Sequence, residues 1–279
     1  MMDATLLISA ALGSLVGFIL ALTGAGGAII AVPLLVFGLG LGVAQAAPIG
    51  LLAVGLSAGL GALLALREGK VRYKAAALMA AAGAVVSPVG LWVAHRVSDG
   101  PLTLAFACVL GMVAVRMFRQ QSGATHGGPE LAPSALPCRL NAERGKLDWT
   151  APCARALALS GAMSGFLSGL LGVGGGFVIV PALKRASDIP MQGIVATSLA
   201  VIALVSAAGV VASAAAGHVL WAEALPFAAG ALAGMLGGRR LSRYVSGARL
   251  SQSFAAFAGC VAVGMAVKAL FAMHGAGSP

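Results

Sequence analysis

Two glycine clusters that repeat each other along the chain are the residues whose types and spacing could do chemistry. They lie in GFILALTGAGGAIIAVP (17–33) and GFLSGLLGVGGGFVIVP (165–181). Their glycines are Gly24, Gly26 and Gly27 in the first copy, and Gly172, Gly174, Gly175 and Gly176 in the second. Each cluster interrupts an apolar helical run, where a glycine costs about 0.8–1 kcal/mol relative to alanine. A helix that starts after such a break has unpaired N–H groups, so the chemistry we expect here is binding of an anion or other acceptor by backbone amides.

These clusters belong to a repeat that covers most of the chain. At a constant offset of 148 residues, eight of the seventeen positions in the two stretches are identical. The same offset relates later pairs, such as Gly69 to Gly217 and Phe106 to Phe254. Duplication and fusion of a half-length gene explains this pattern. Membrane transporters are commonly built this way, with the substrate site between the halves.

The elements that position the clusters must be membrane helices. Apolar residues make up 59% of the 279 residues and charged residues only 9%, too few to cover a soluble fold of this size. Apolar runs of about 20 residues match the thickness of a bilayer, and their continuity excludes the alternation of a β-barrel. We therefore predict an all-α polytopic protein whose partner is the lipid bilayer. The formal net charge of +10 is attributed to loop anchoring on the cytoplasmic side, not to nucleic acid.

Hydropathy predicts ten helical elements, five in each half. A coarser plot shows eight segments, because the first two elements of each half are separated only by the glycines. The N-terminus has no Lys or Arg ahead of its apolar run, so we interpret it as a retained helix and not a cleaved signal peptide. The predicted segments are 4–22, 27–41, 44–66, 75–95, 101–118, 154–172, 176–187, 191–216, 222–238 and 249–272.

Loop charges predict that the two halves have inverted topology. The loop at 67–74 carries four Lys or Arg residues, whereas its equivalent at 217–221 carries none. The bias is reversed at the next loop, where 239–243 has three arginines. Equivalent loops with opposite charge bias lie on opposite sides of the membrane. Inversion requires an odd number of crossings per half, which five crossings satisfy, as do three crossings plus a re-entrant hairpin of the first two elements. In either case we expect both termini outside the cytoplasm.

The resulting organisation is a first transmembrane repeat (1–118), a cytoplasmic linker (119–153) and a second transmembrane repeat (154–279). Two short runs around a turn in the linker predict a β-hairpin at 138–149. The four cysteines form no C-x-x-C pair, so no zinc or redox motif is encoded locally. Cys108 and Cys260 lie in apolar helices and are interpreted as small packing residues.

Other features have a packing interpretation. G-x-x-x-G spacings at Gly13/Gly17, Gly55/Gly59, Gly161/Gly165/Gly169 and Gly230/Gly234/Gly238 predict close helix contacts. Pro33 and Pro181, six residues after the last glycine that the copies share, are expected to kink or end the short helices.

A second set of candidate binding residues is polar. Gln45 and Gln192 hold matching positions at the start of the next segment of each half, here at an offset of 147. Thr197 and Ser198 follow in the second half, where the first half has Gly50 and Leu51. These side chains could bind substrate together with the glycine clusters, or they could cap and tie helices. Both interpretations stay open at this point.

The distribution of acidic and metal-binding residues limits which substrates and reactions the sequence can support. None of the eight Asp and Glu residues lies deep in a predicted span, and cation transporters usually place carboxylates there. An anionic or neutral substrate is therefore favoured. The spans contain no His, Asp and Glu constellation for catalysis. We expect no enzyme activity, no metal and no cofactor.

The duplicated glycine motif, the polar linker and the stretch MQGIVATSL (191–199) resemble the sulfite exporter TauE/SafE family, and the resemblance covers nearly the whole chain. The first half departs from it at 47–52, where similar proteins often carry a second Thr-Ser pair. The resemblance implies a secondary transporter in the bacterial inner membrane. It would export small anions such as sulfite, sulfonates or related organic acids. The alternative is a non-transporting membrane subunit of a sulfur-metabolism or respiratory complex.

Overall fold

The computed structural model has the predicted all-α fold, with ten helices in the part of the chain that it describes. That part comprises residues 2–23, 27–122, 138, 140–141, 146–147, 150–241 and 256–269. Five of the helices, α1, α3, α4, α6 and α8, are long and apolar enough to cross a membrane. The helices are α1 (Met2–Thr23), α2 (Ala31–Gly38, after a 3-10 turn at Gly27–Ile30), α3 (Val43–Arg67), α4 (Tyr73–Arg96), α5 (Asp99–Ser122), α6 (Ala151–Leu171), α7 (Gly176–Ala186), α8 (Met191–Ala215), α9 (Trp221–Leu241) and α10 (Ala256–Ala269).

Helices α6 and α7 form a hairpin and not one continuous span. Ser164, in the middle of α6, donates its hydroxyl hydrogen bond to the carbonyl of Gly175, with a distance of 3.0 Å. At the other end of α7, the carbonyl of Ala186 accepts from the amide of Cys138, which forms a disulfide with Cys153 at the start of α6. The short helix α7 therefore begins part-way along α6 and returns toward the end at which α6 started.

Close helix pairs join the two halves and repeat at the same offset as the sequence. Helix α1 packs on α9, and α4 packs on α6. In both pairs, the absence of a Cβ lets glycines lie against backbone carbonyls of the neighbouring helix, as the G-x-x-x-G spacings predicted. Each contact in one half recurs 148 positions later in the other. These contacts are Gly13 with Phe227 and Gly161 with Met79, then Gly17 with Ala231 and Gly165 with Gly83.

Helices α3 and α8 cross at the centre of the bundle and run antiparallel. Gly55 lies against Ser206, and Gly59, one turn later, lies against Ala203, one turn earlier in α8. The loops that follow these helices therefore lie at opposite ends of the bundle. The buried residues form a single core that draws on both halves.

Basic side chains collect at one end of the bundle, which we name the basic end. There the Glu68 carboxylate accepts from Lys70 and from Arg239, each at 2.8 Å. At the opposite end, the rings of His95 and His218 stack with 3.9 Å between their centroids. The loop 67–74 and the end of α9 at Arg239 and Arg240, both of which we expect to be cytoplasmic, thus share one end. The basic end is defined by Arg67, Lys70, Arg72, Lys74, Arg155, Lys184, Arg185, Arg239 and Arg240.

The Glu68 ion pairs tie a loop of the first half to α9 of the second. Lys70 lowers the pKa of Glu68 below its usual range, and Arg239 adds a smaller effect in the same direction. A lowered carboxyl pKa means that the stabilisation is present above the ordinary pKa and is lost as pH falls through the folded-state value. Because the pairs are exposed, their contribution is small.

The linker carries a pair of short strands and one cysteine of a disulfide. Strands β1 (Leu140–Asn141) and β2 (Lys146–Leu147) pair antiparallel within the segment 138–149. The Cys138–Cys153 disulfide joins residues 15 positions apart, a separation that no local motif signals. Cys108 and Cys260 are exposed, so their interpretation as packing residues is wrong. Apolar helices in a membrane protein need not bury their small residues, because lipid is as apolar as the core.

Neither proline ends its helix, which corrects that part of the expectation. Pro33 lies in the first turn of α2, where the missing N–H has no intrahelical partner in any case. Pro181 lies inside α7, and the helix continues to Ala186. The cost at Pro181 is one backbone hydrogen bond to Phe177, since proline has no N–H to donate.

Membrane orientation is tested with Lys70→Cys and His218→Cys, which occupy the same position of the repeat. Cys108 and Cys260 are first replaced by serine. We expect an impermeant maleimide to label residue 70 only from the cytoplasm and residue 218 only from outside, because α3 and α8 are antiparallel.

Labelling of both positions from one side would contradict the inverted topology. Reversed labelling would place the basic end outside. The same experiment shows on which side of the membrane the Cys138–Cys153 disulfide lies. That side matters because disulfides persist in oxidising compartments and are rare in the cytoplasm.

Candidate functional site

The turn between α6 and α7 requires a left-handed backbone at three positions. Gly172, Gly174 and Gly175 have φ angles of 71°, 67° and 67°. Gly172 ends α6, and its amide donates to the carbonyl of Ser168 at 2.8 Å. A residue with a Cβ in this conformation loses about 1–2 kcal/mol. The left-handed backbone therefore explains why these three positions are glycines.

Space is a second reason for these glycines. A Cβ on Gly172 would overlap the backbone of Ala47 in α3, and a Cβ on Gly175 would overlap Ser164 in α6. Gly174 is less crowded. The nearest atoms to its Cβ position are Ile202 Cγ2 at 3.0 Å, Val54 Cγ1 at 3.1 Å and Ser206 Oγ at 3.2 Å. The turn is thus held between α3, α6 and α8, and its middle residue faces a hydroxyl.

Helix α7 starts inside the bundle. Its first residue, Gly176, is buried, and the preceding Gly175 lies beside the middle of α6. The first N–H groups of a helix have no intrahelical acceptors, and the helix dipole places about half a positive charge at this terminus. The arrangement can bind an anion or the negative end of a dipole at membrane depth.

The matching cluster of the first half is described only in part. Gly24 and Gly26 lie outside the described residues. Gly27 begins the 3-10 turn before α2 and packs against the backbone of Leu20 in α1. The two halves meet at Gly50 of α3, whose Cβ position is 3.2 Å from the carbonyl oxygen of Gly172 and 3.3 Å from Val32 Cγ2. The second-half turn and the first-half short helix therefore approach the same part of α3.

The structure does not bring Gln45 and Gln192 together. Both are exposed at the first turns of α3 and α8, and these helices are antiparallel, so the two side chains lie at opposite ends of the bundle. The Gln45 side chain accepts from the amide of Gly42 at 3.4 Å, in a capping position. This contact favours the interpretation of Gln45 as a helix cap.

Thr197 and Ser198 are buried and hydrogen-bonded within the protein. The Thr197 hydroxyl oxygen accepts from the amide of Arg72 at 3.1 Å, which ties α8 to the loop before α4. The Ser198 hydroxyl donates to the carbonyl of Val195 at 2.8 Å. Both groups lie near the basic end, on the α8 segment one to two turns before Ile202.

Sequence reasoning missed a different set of hydroxyls. Four serines on α3, α4, α6 and α8 have buried Oγ atoms without a hydrogen-bond partner among the described residues: Ser57, Ser87, Ser168 and Ser206. Their signal in the sequence is only a polar residue in an apolar span, and none of the four is repeated as serine at the offset of 148. Among the described residues, no group of three His, Cys, Asp or Glu side chains could hold a metal ion.

Thr197→Val is expected to remove the hydrogen bond that joins α8 to the loop before α4. The change keeps the shape but leaves the Arg72 amide without its acceptor, a loss of about 1 kcal/mol for a neutral hydrogen bond. We expect a lower melting temperature of the detergent-purified protein, with Thr197→Ser as the control that retains the acceptor. A loss of anion affinity of tenfold or more at unchanged melting temperature would instead assign Thr197 to the substrate.

The known proteins to which this chain is similar are described as probable membrane transporters. The chain is 32% identical over 197 residues to a "Probable membrane transporter protein" of Xylella fastidiosa strain 9a5c, which covers 70% of this chain and 69% of that protein. It is 42% identical over 79 residues to "Probable membrane transporter protein YunE" of Bacillus subtilis strain 168, which covers 28% and 29%. No solved structure matches the chain.

A family model described as "Sulfite exporter TauE/SafE" matches residues 9–265, and so includes both glycine clusters and both repeats. This match extends over nearly all the helices described above. The chain is a multi-pass membrane protein of the sulfite exporter TauE/SafE family of transporters.

Proposed function

We propose that this transporter exports small anions, such as sulfite, sulfonates or related organic acids, across the inner membrane. The observation that carries the proposal is the start of α7 within the bundle, at the turn Gly172–Gly175. Because the dipole and the first amides of a helix favour negative charge, this terminus suits an anion better than a cation.

The placement of acidic side chains supports the same substrate class. In the described part of the chain, Glu68, Asp99, Asp188 and Glu223 lie in loops or at helix ends. The buried polar side chains there are serine and threonine hydroxyls. An anion that reaches the turn would therefore meet hydrogen-bond donors rather than carboxylates.

The helix pairing supports a mechanism of alternating access. In each half, a long helix packs tightly on a helix of the other half through glycine contacts, and the crossing of α3 and α8 lies between these pairs. Rocking of one pair against the other around this crossing would open the turn to one side at a time, as inverted repeats permit.

The test is anion flux in proteoliposomes. Purified protein is reconstituted, and uptake of radiolabelled sulfite, methanesulfonate and a small carboxylate is compared with empty vesicles. We expect protein-dependent flux of at least one sulfur oxyanion. Absence of flux for every anion in both vesicle orientations would refute the proposal.

A further inference from the structure

Buried serines in this bundle fall into two groups. Ser164 and Ser213 donate to backbone carbonyls, as hydroxyls in membrane helices usually do. Ser87 and Ser206 are equally buried, with 0% of their surface exposed, yet their hydroxyls have no partner among the described residues. A buried hydroxyl without a partner is destabilising, so such a pair needs an explanation.

The two hydroxyls lie next to one turn of α8, and that of Ser206 also lies beside the glycine turn that precedes α7. Ser206 Oγ is 3.2 Å from the Cβ position of Gly174, in the glycine turn. Ser87 Oγ, from α4, is 3.3 Å from the Cβ position of Gly209. Residues 206 and 209 are three apart on a helix, so they are neighbours at about 5–6 Å. The two hydroxyls therefore lie at neighbouring positions of one α8 face, an arrangement in which two donors can bind different oxygens of one small oxyanion.

We infer that Ser206 and Ser87, with the first amides of α7, form the binding site for a single oxyanion of one negative charge. This inference rests on the proposed function and specifies its site and substrate class. Because residues 174 and 209 are glycines, no side chain from either position covers the hydroxyl of Ser206 or of Ser87.

The charge of the ligand follows from what surrounds these hydroxyls. A helix terminus supplies about half a positive charge, and the hydroxyls add dipoles but no charge. The walls are apolar and buried, formed by Leu51, Val54 and Ile202. A second negative charge would be desolvated there without compensation, which is strongly unfavourable. Hydrogensulfite and sulfonates therefore fit, whereas sulfate and fully deprotonated sulfite do not.

The first experiment compares serine variants of the full-length protein in detergent, using methanesulfonate as the probe. Affinity is measured from the ligand-dependent rise in melting temperature. Ser206→Ala and Ser87→Ala are each expected to weaken binding about 10- to 100-fold, because each removes one hydrogen bond to a charged ligand. Without ligand, both variants should melt at the same temperature as the unmodified protein or higher, since an unpaired buried hydroxyl has been removed.

Ser213→Ala is the matched control, because this hydroxyl is equally buried on α8 but already donates to Gly209. It should lower the melting temperature without ligand and leave the methanesulfonate affinity unchanged. If Ser206→Ala and Ser87→Ala bind methanesulfonate as well as the unmodified protein, the assignment of the hydroxyls is overturned.

The second experiment tests the charge. Methanesulfonate keeps one charge and sulfate keeps two over the neutral pH range, whereas sulfite changes from one to two. We expect no competition by sulfate, and an apparent sulfite affinity that falls as pH rises while that of methanesulfonate stays constant. Equal competition by sulfate would overturn the single-charge assignment. If the unmodified protein binds none of these anions, the proposed function fails together with the site.

Discussion

Replacing Gly174 with leucine is expected to abolish anion transport while the protein still inserts into the membrane. The left-handed φ of 67° at this position costs a non-glycine residue about 1–2 kcal/mol. The side chain would also extend from a Cβ position that is already 3.0–3.2 Å from Ile202, Val54 and Ser206. The leucine must therefore displace the start of α7 and fill the space beside the Ser206 hydroxyl. Flux in proteoliposomes and membrane content by immunoblot provide the two measurements.

Gly237→Leu is the matched control for this change. Gly237 lies on α9 and is exposed, with nothing within 4 Å of its Cβ position. The same glycine-to-leucine substitution there should leave both flux and membrane content near their original values. Normal transport by Gly174→Leu would show that the anion path lies elsewhere in the bundle.

Alanine at Gly17 or Gly165 is expected to destabilise the fold, and to similar extents. The added Cβ would collide with the carbonyl of Ala231 in the first case and of Gly83 in the second. These are the same contact at equivalent positions of the repeat, and a backbone carbonyl cannot rotate away as a side chain could. We expect each variant to lose about 1–3 kcal/mol, the usual cost of overpacking. Thermal unfolding in detergent measures the loss.

Gly237→Ala serves as the reference for these two variants. Without a neighbour to collide with, alanine there should be neutral or stabilising by up to about 1 kcal/mol, since it is the better helix former. A large loss at Gly17 with none at Gly165 would argue that the two helix pairs are not equivalent, contrary to their shared contacts.

The features that the sequence predicted correctly depend on properties of single segments. The small share of charged residues and the apolar runs of about 20 residues sufficed for a polytopic helical membrane protein, because the bilayer admits few other structures. The glycine clusters marked the breaks between α1 and α2 and between α6 and α7, because a helix tolerates few glycines. The G-x-x-x-G spacings predicted close helix contacts, although not which helix each would contact.

The contacts of the candidate polar residues could not be predicted from single segments of the sequence. The sequence left Thr197 open between an anion ligand and a helix tie, and only the structure shows that its oxygen accepts from Arg72, which lies 125 positions away. Gln45 and Gln192 match in the repeat, yet antiparallel packing of α3 and α8 separates them. The Cys138–Cys153 disulfide was invisible as a motif and depends on the linker returning to the start of α6.

By itself, the sequence determined the membrane class of this protein, its internal repeat and the positions of its helix breaks. Each of these follows from how a local segment partitions into lipid and from what conformations its own backbone allows. Only the tertiary structure decided that α1 pairs with α9 and α4 with α6, and that the buried hydroxyls of Ser87 and Ser206 have no hydrogen-bond partner among the described residues. The partner of a buried hydroxyl comes from whichever distant helix lies against it, and no local pattern in the chain carries that information.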